Sequence, residues 1–345
     1  RSQVAADRVE DVVLGCAFPE AEQGMNVARV IAMGAGLPAD VPAMTINRFC
    51  SSGVQAIAIV ADRIAVGQID FGIAGGLESM SMVPMSGAKP SLNPRLVESQ
   101  PELFTPMGIT AENVARKFGI TRDEQDEFAY QSHQKAVAAQ AAGYFNDEIL
   151  PIDATVFDES GRPRSLRLDR DELPRADTDR KKLSALKPAF DPTGSVTPGN
   201  SSPLTDGAAA VVLAAGDQVG GRPKLGYFRS FAVAGVPPDI MGIGPVPAIR
   251  KLLKKTGLSI ADISIFEINE AFASQAVYCA KELGVPGDRL NIHGGGIAIG
   301  HPLGATGARM TLTALRALAK TGGRYGIISM CIGGGMGAAA LVERA

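Results

Sequence analysis

Apolar positions along the chain fall into short blocks whose spacing alternates. In residues 9–80, VEDVVLG, VPAMTIN and DFGIAGG are dense apolar runs of strand length. Between them, NVARVIAMGAG and SSGVQAIAIVADRIAVG place apolar residues three and four apart, the period of a helix packed on one face. Such alternation predicts a mostly parallel sheet with helices on both faces. Residues 245–345 repeat the theme. The helix PVPAIRKLLKKTG leads to the strand ISIFEIN, the helix EAFASQAVYCAKELG, the segment LNIHGGGIAIG, the helix ATGARMTLTALRALAKTG, and the strands YGIISM and AAALVE. The two series overlay. DVVLG falls on ISIFEIN, the turn before one long helix on the turn before the other, and DFGIAGG on YGIISMC. This is duplication at domain scale.

Residues 81–200 break the pattern. They are rich in Pro, Ser, Met and charge, and one helix stands out, opened by Thr121-x-x-Glu124 and running through DEQDEFAYQSHQKAVAAQAAG. A basic cluster follows, from Arg162 through Arg175, Arg180 and Lys182 to Lys187. It reads either as a solvated loop or as a lid for a polyanionic small ligand.

Composition narrows the class. The chain has 345 residues, 46% of them apolar and 20% charged, with a net charge of −2. These are the proportions of an ordinary soluble protein of about two domains, with no global field to draw nucleic acid. No apolar run is long enough to span a bilayer. The four cysteines form no CxxC pair, which argues against a zinc site and a secreted disulfide framework.

One of those cysteines occupies a corner. Cys50 lies between VPAMTIN and a long helix, followed by two serines and a glycine. A free cysteine is ordinarily a buried small hydrophobe. At a helix start, unpaired N–H groups and the helix dipole favour negative charge, so the thiol is expected to ionise readily and act as a nucleophile. Three further corners accompany it. His301 in GHPLGATG suits a base or an oxyanion donor. Asn269 closes ISIFEIN; its plainest role is a helix N-cap. Cys331 ends a strand before GGG, where bare backbone N–H groups admit a substrate. Of the other histidines, His133 reads as a surface residue within a helix and His293 as a strand cap. Together Cys50, His301, Asn269 and Cys331 describe nucleophilic catalysis on a carbonyl with two thiols.

At these residues the chain resembles the thiolases. NRFCSSG, GNSSPLTDGAAA, NEAFA, GGGIAIGHPLGATG and CIGGGMG carry the likeness, which covers nearly the whole chain from about residue 9. The resemblance implies an α/β thiolase fold of two duplicated α/β/α-layered domains with an inserted loop domain. Residues 1–83 would form the N-terminal domain without the family's first strand, and 84–200 the loop domain. Residues 201–228 would return to the first domain, and 229–345 would form the second. Cys50 would take the acyl group and His301 activate it. Cys331 would move the proton at the acetyl-CoA methyl carbon. Asn269 would hold a water in one oxyanion hole, and the backbone N–H groups of Cys50 and Gly333 would form the other. Met107, Phe190, Ser202 and Phe272 would line a pantetheine channel, with Arg175 near the nucleotide end.

NRFCSSGVQ resembles the degradative branch, which implies thiolytic cleavage of 3-ketoacyl-CoA in fatty-acid β-oxidation, with CoA as substrate and no cofactor or metal. The alternative is the branch that condenses acetyl-CoA to acetoacetyl-CoA. By resemblance the chain is expected to form a homodimer or tetramer, open to a complex with other β-oxidation enzymes. Its Ala- and Gly-rich composition suggests a bacterial cytoplasm. Ketoacyl carrier-protein synthases share the fold but lack the second cysteine. A dinucleotide-dependent oxidoreductase is disfavoured, because GGGIAIG departs from GxGxxG and no acidic residue follows at ribose distance. A CoA-binding module without activity would not need all four reactive positions.

Overall fold

A computed structural model of the chain describes residues 2–345. The strands are β1 (Asp11–Gly15), β2 (Ala43–Ile46), β3 (Phe71–Ser79), β4 (Ile152–Phe157), β5 (Pro163–Leu168), β6 (Asp206–Ala214), β7 (Gly226–Gly235), β8 (Ile263–Ile268), β9 (Tyr325–Ile332) and β10 (Met336–Arg344). The helices are α1 (Val27–Gly34), α2 (Ser52–Ala65), α3 (Pro94–Ser99), α4 (Met107–Phe118), α5 (Arg122–Ala141), α6 (Arg180–Ser184), α7 (Pro245–Thr256), α8 (Ala273–Leu283), α9 (Gly296–Ile299) and α10 (Leu303–Thr321).

Two four-stranded sheets carry the fold, ordered β2-β1-β3-β6 and β7-β10-β9-β8. In the first, β1 runs parallel to β2 and β3, and β6 pairs antiparallel with β3. In the second, β8 and β9 are parallel, and β10 is antiparallel to β9 and β7. Side chains on successive strand residues face opposite ways. In β1, Val12 and Leu14 therefore meet α1, whereas Val13 meets α2. In β9, Ile327 joins the α7 and α8 side, whereas Ile328, Met330 and Ile332 join α10. The result is five layers, with α2 and α10 shared between the sheets.

Glycine sets the closeness of that shared layer. A Cβ on Gly53 of α2 would lie 2.6 Å from the Gly304 carbonyl oxygen of α10. One on Gly307 would lie 2.4 Å from the Val54 nitrogen. Both separations are shorter than any side-chain carbon tolerates, so the two helices cross backbone to backbone.

The duplication is visible in the pairing. β1, β3 and β6 correspond to β8, β9 and β10. An isolated parallel bridge between Leu290 and Phe266 stands where β2 stands in the first sheet. β7 has no counterpart, so among the described residues the outer edge of β6 carries no further strand. The chain crosses between sheets after Ala214, and β7 from Gly226 already belongs to the second sheet. The expected return segment 201–228 therefore ends too late, because Tyr227 and Phe228 pair with β10.

Between β3 and β6 the chain builds more than the one expected helix. α3, α4 and α6 are present, as is the antiparallel hairpin β4–β5. Both signals for α4 were in the sequence: Pro106 before it and Gly119, in the left-handed region at φ 67°, closing it. The capping box of α5 forms in both directions. Thr121 Oγ1 accepts from Glu124 N at 3.3 Å, and the Glu124 carboxylate accepts from Thr121 N at 2.8 Å. No described helix is long and apolar enough to cross a membrane.

Candidate active site

After β2 the chain turns sharply through Arg48–Ser51 into α2. Phe49 takes φ 43°, a left-handed conformation that a phenylalanine adopts only when its surroundings hold it. The serines do the holding. Ser52 Oγ accepts from Arg48 N at 2.8 Å and donates to Phe49 O at 2.7 Å, while Ser51 Oγ donates to Arg48 O at 3.1 Å. Cys50 is thereby fixed, buried among Ala17, Met80 and Leu303 with Phe18 and Phe49 against it. Its own N–H and that of Gly333 favour a thiolate there. The expectation of a readily ionised thiol does not survive. Burial outweighs the N–H groups and pushes the Cys50 thiol up to about 12, with the Glu78 charge adding to the rise.

His301 is 3% exposed and stands one residue before the cap of α10. Its Nδ1 lies 2.7 Å from Thr306 Oγ1, and that hydroxyl donates to Pro302 O at 2.9 Å. A hydroxyl has one proton, so Thr306 must accept from the ring. The proton is therefore on Nδ1, and Nε2 is bare. Asn269 Nδ2 lies 3.1 Å from that Nε2 and donates to it. Burial and the Arg309 charge hold His301 neutral, down to about 3. Asn269 is not a helix cap: α8 starts four residues later, behind Phe272. Its Oδ1 is buried and has no protein partner, while Gln275 Nε2 donates to its carbonyl at 3.2 Å.

Cys331 is fully buried on β9, beside Ala111, Val196, Met241, Ala271 and Phe272, with Met107 packed on them. Burial raises its thiol. Gly333 follows in the turn, where an added Cβ would lie 3.7 Å from Met107 Sδ and from the Phe49 ring. Phe49, which packs on Cys50, and Met107, which packs on the Cys331 cluster, both stand against Gly333, so the two cysteine clusters adjoin there. Phe190 and Phe272 meet edge to face at 6.0 Å. Ser202 returns its N–H and hydroxyl to Ala271 O at 3.0 and 3.1 Å.

Two buried cysteines, a base-ready histidine oriented by an amide, and two glycine-bared turns thus share one centre, and they do so on a duplicated fold. The chain matches the family models for the thiolase N-terminal domain over residues 1–217 and the thiolase C-terminal domain over residues 222–344. The chain belongs to the thiolase family. It is 51% identical over 341 residues to a protein of Bacillus subtilis called 3-ketoacyl-CoA thiolase, covering 97% of this chain and 87% of that one. The dimeric peroxisomal thiolase of Saccharomyces cerevisiae superposes with a TM-score of 0.88 at 43% identity, over 98% of this chain and 85% of that one. The acetyl-CoA acetyltransferase of Bacillus anthracis gives 0.88 at 40%, over 99% and 89%.

In this thiolase several charges of the basic segment are paired. Arg175 is exposed and meets Asp177 at 3.4 Å, Arg180 pairs with Glu127, and Lys182 reaches Asp177 and Asp179. His133, expected at the surface, is buried and accepts from Arg175 N at 3.2 Å, so it anchors the loop to α5. His293 is no strand cap; its ring stacks on Tyr144 at 3.4 Å. Thr306 and Glu78 were missed. Thr306 lies within the GHPLGATG stretch, but its role depends on a helical turn bringing it back to His301. Glu78 gives no signal beyond an acid ending an apolar strand.

Proposed function

We propose that this thiolase cleaves 3-ketoacyl-CoA with CoA, giving acetyl-CoA and a shortened acyl-CoA. The observation that carries the reading is that the Cys50 turn and the glycine turn at Gly333 meet through Phe49, with a second buried thiol at Cys331 packed against Met107 beside that turn and a histidine, His301, whose Nε2 carries no proton. Cys50 Sγ attacks the 3-keto carbon, and its proton passes to His301 Nε2. The bond between C2 and C3 breaks, its electron pair forms the acetyl-CoA enolate, and Cys331 protonates C2. CoA sulfur then attacks the Cys50 thioester. Its proton goes to the Cys331 thiolate, and Cys50 leaves with the proton that His301 held. Atoms and charge balance without a redox group or a metal.

Two oxyanions develop in turn, and preorganised donors lower the barrier to each. The N–H groups of Cys50 and Gly333 suit one. His301 and a water accepted by Asn269 Oδ1, the buried acceptor without a protein partner, suit the other. Met107 and Phe272 pack with Cys331, and Phe190 meets Phe272; together with Ser202 they would pass the pantetheine arm, with Arg175 toward the nucleotide. Two features of this chain support the assembly expected of the family. β2 is an open edge of the first sheet, and exposed apolar residues Val30, Met33 and Met44 gather on α1 and β2.

The test is thiolysis of a 3-ketoacyl-CoA panel, with mass spectrometry of enzyme quenched in the absence of free CoA. Turnover beyond acetoacetyl-CoA and a thioester on Cys50 are expected. Turnover of acetoacetyl-CoA alone would favour the acetyl-CoA-condensing branch, and label on Cys16 or Cys279 would sink the mechanism.

A further inference from the structure

Glu78, the next-to-last residue of β3, is 2% exposed and has no cationic partner among the described residues. Every group that faces it is a donor. One carboxylate oxygen accepts from Ala17 N at 2.8 Å and Gly304 N at 2.9 Å. The other accepts from Gln23 Nε2 at 3.0 Å, Phe18 N at 3.2 Å and the Cys16 thiol at 3.7 Å. Such a shell fits only an acceptor-only carboxylate, because an amide or a protonated acid would set a donor against donors. An unpaired buried charge is costly unless hydrogen bonds replace its hydration, and here they do.

The partners fall on both halves of the molecule. Ala17 and Phe18 belong to the loop after β1. Gly304 is the second residue of α10, three after His301. Ala17, Phe18 and Leu303 are also the residues that pack on Cys50. A single carboxylate thus ties the wall around the nucleophile to the start of the helix that presents the base. The charged and titratable groups around Cys50 are Glu78 from β3, Cys16 after β1, His301 before α10 and Cys331 from β9.

We propose that Glu78 is a positioning residue for acyl transfer: it locks the start of the His301 helix onto the Cys50 turn, and its charge, bonded to the residues that wall Cys50, adds to burial in disfavouring a negative sulfur there. This rests on the thiolytic reading above. The direction agrees with the Glu78 contribution to the raised Cys50 thiol. Glu78 spends no contact on substrate, so it acts through other residues on the chemical step.

The experiment pairs steady-state kinetics with the pH dependence of Cys50 alkylation by iodoacetamide, in wild type, Glu78→Gln and Glu78→Asp. Glu78→Gln removes the charge. Its kcat should fall about 10- to 100-fold, the scale of a small misplacement of reacting groups, with KM nearly unchanged. Its alkylation profile should move to lower pH. Glu78→Asp keeps the charge but loses reach to Gly304, so kcat should fall while the profile stays. An unchanged kcat in Glu78→Asp overturns the positioning role, also in the event that Glu78→Gln does not fold. An unchanged profile in folded Glu78→Gln overturns the electrostatic role. Alkylation needs no substrate, so a failure of the thiolytic reading would appear as absent turnover with the profile shift intact.

Discussion

Behind Asn269, two residues back along β8, Glu267 is wholly buried, and neither carboxylate oxygen has a partner. Burial pushes its acid up to about 8, with Arg309 opposing and Glu270 and Glu148 reinforcing the rise. The sign follows from linkage: the unfolded acid ionises near 4.5, so between that pH and about 8 the folded state binds the extra proton and stability falls as pH rises. Glu267→Gln mimics the neutral acid. Its unfolding free energy relative to wild type, from urea titration, should climb from pH 5 to pH 9 by an amount on the order of a few kcal/mol. A constant difference across that range would show that Glu267 does not titrate there. Arg175 gives a second expectation. Because its side chain is exposed, Arg175→Ala should raise KM for CoA esters by about 5- to 150-fold at most, equivalent to roughly 1–3 kcal/mol, and by less at high salt. Short pantetheine thioesters should be turned over as by wild type, and equal impairment on them would remove the residue from the nucleotide end. Cys50, His301, Asn269 and Cys331 were legible because their chemistry lies in side-chain type and in adjacent glycines. The Cys50 ionisation was misread because burial depends on contacts from Ala17, Met80 and Leu303, which no local pattern shows.

At the scale of elements, the two long helices fix the site by the closeness of their crossing. The same closeness extends to the sheet. A Cβ on Gly76 of β3 would come within 2.0 Å of Gly304 O and 2.8 Å of Gly15 O. Neither is a flexible side-chain end, so the helix start must move. Gly76→Ala should cost about 1–3 kcal/mol or more, as overpacking does, and should lower kcat out of proportion to the loss of thermal stability. Differential scanning calorimetry beside kinetics at a temperature where the variant is folded would check both. A variant as stable and active as wild type would mean that α10 tolerates displacement. Strong periodicity made α2, α7, α8 and α10 legible, and the capping box made α5 so. The strands β6 and β7 were not, because DGAAAVVLA and GYFRSFAVAG owe their strand state to pairing with β3 and β10 rather than to their own preferences. The hairpin β4–β5 is mostly exposed and carries little apolar pattern to read.

On the scale of the whole molecule, the overlay of two strand–helix series survives as two sheets of matching pairing around one shared helical layer. That layer has a consequence for the order in which the molecule can be made. α10 packs on β3 and β6 of the first half, yet it is separated from them by the whole of α7, α8 and β8. Ribosomes add about 5–20 residues per second, so the first sheet waits several seconds after its own strands are finished before its covering helix exists. During that interval Val211 and Ala209 lack the neighbour Ala308, with which they share a cluster in the finished protein. A fragment ending at residue 300 should therefore bind a hydrophobic dye, fall to brief proteolysis and lack a sharp melting transition. A protected fragment of residues 1–217 would show instead that α2 alone suffices. The nascent chain is in this sense a client for any holding chaperone until Thr321 has emerged.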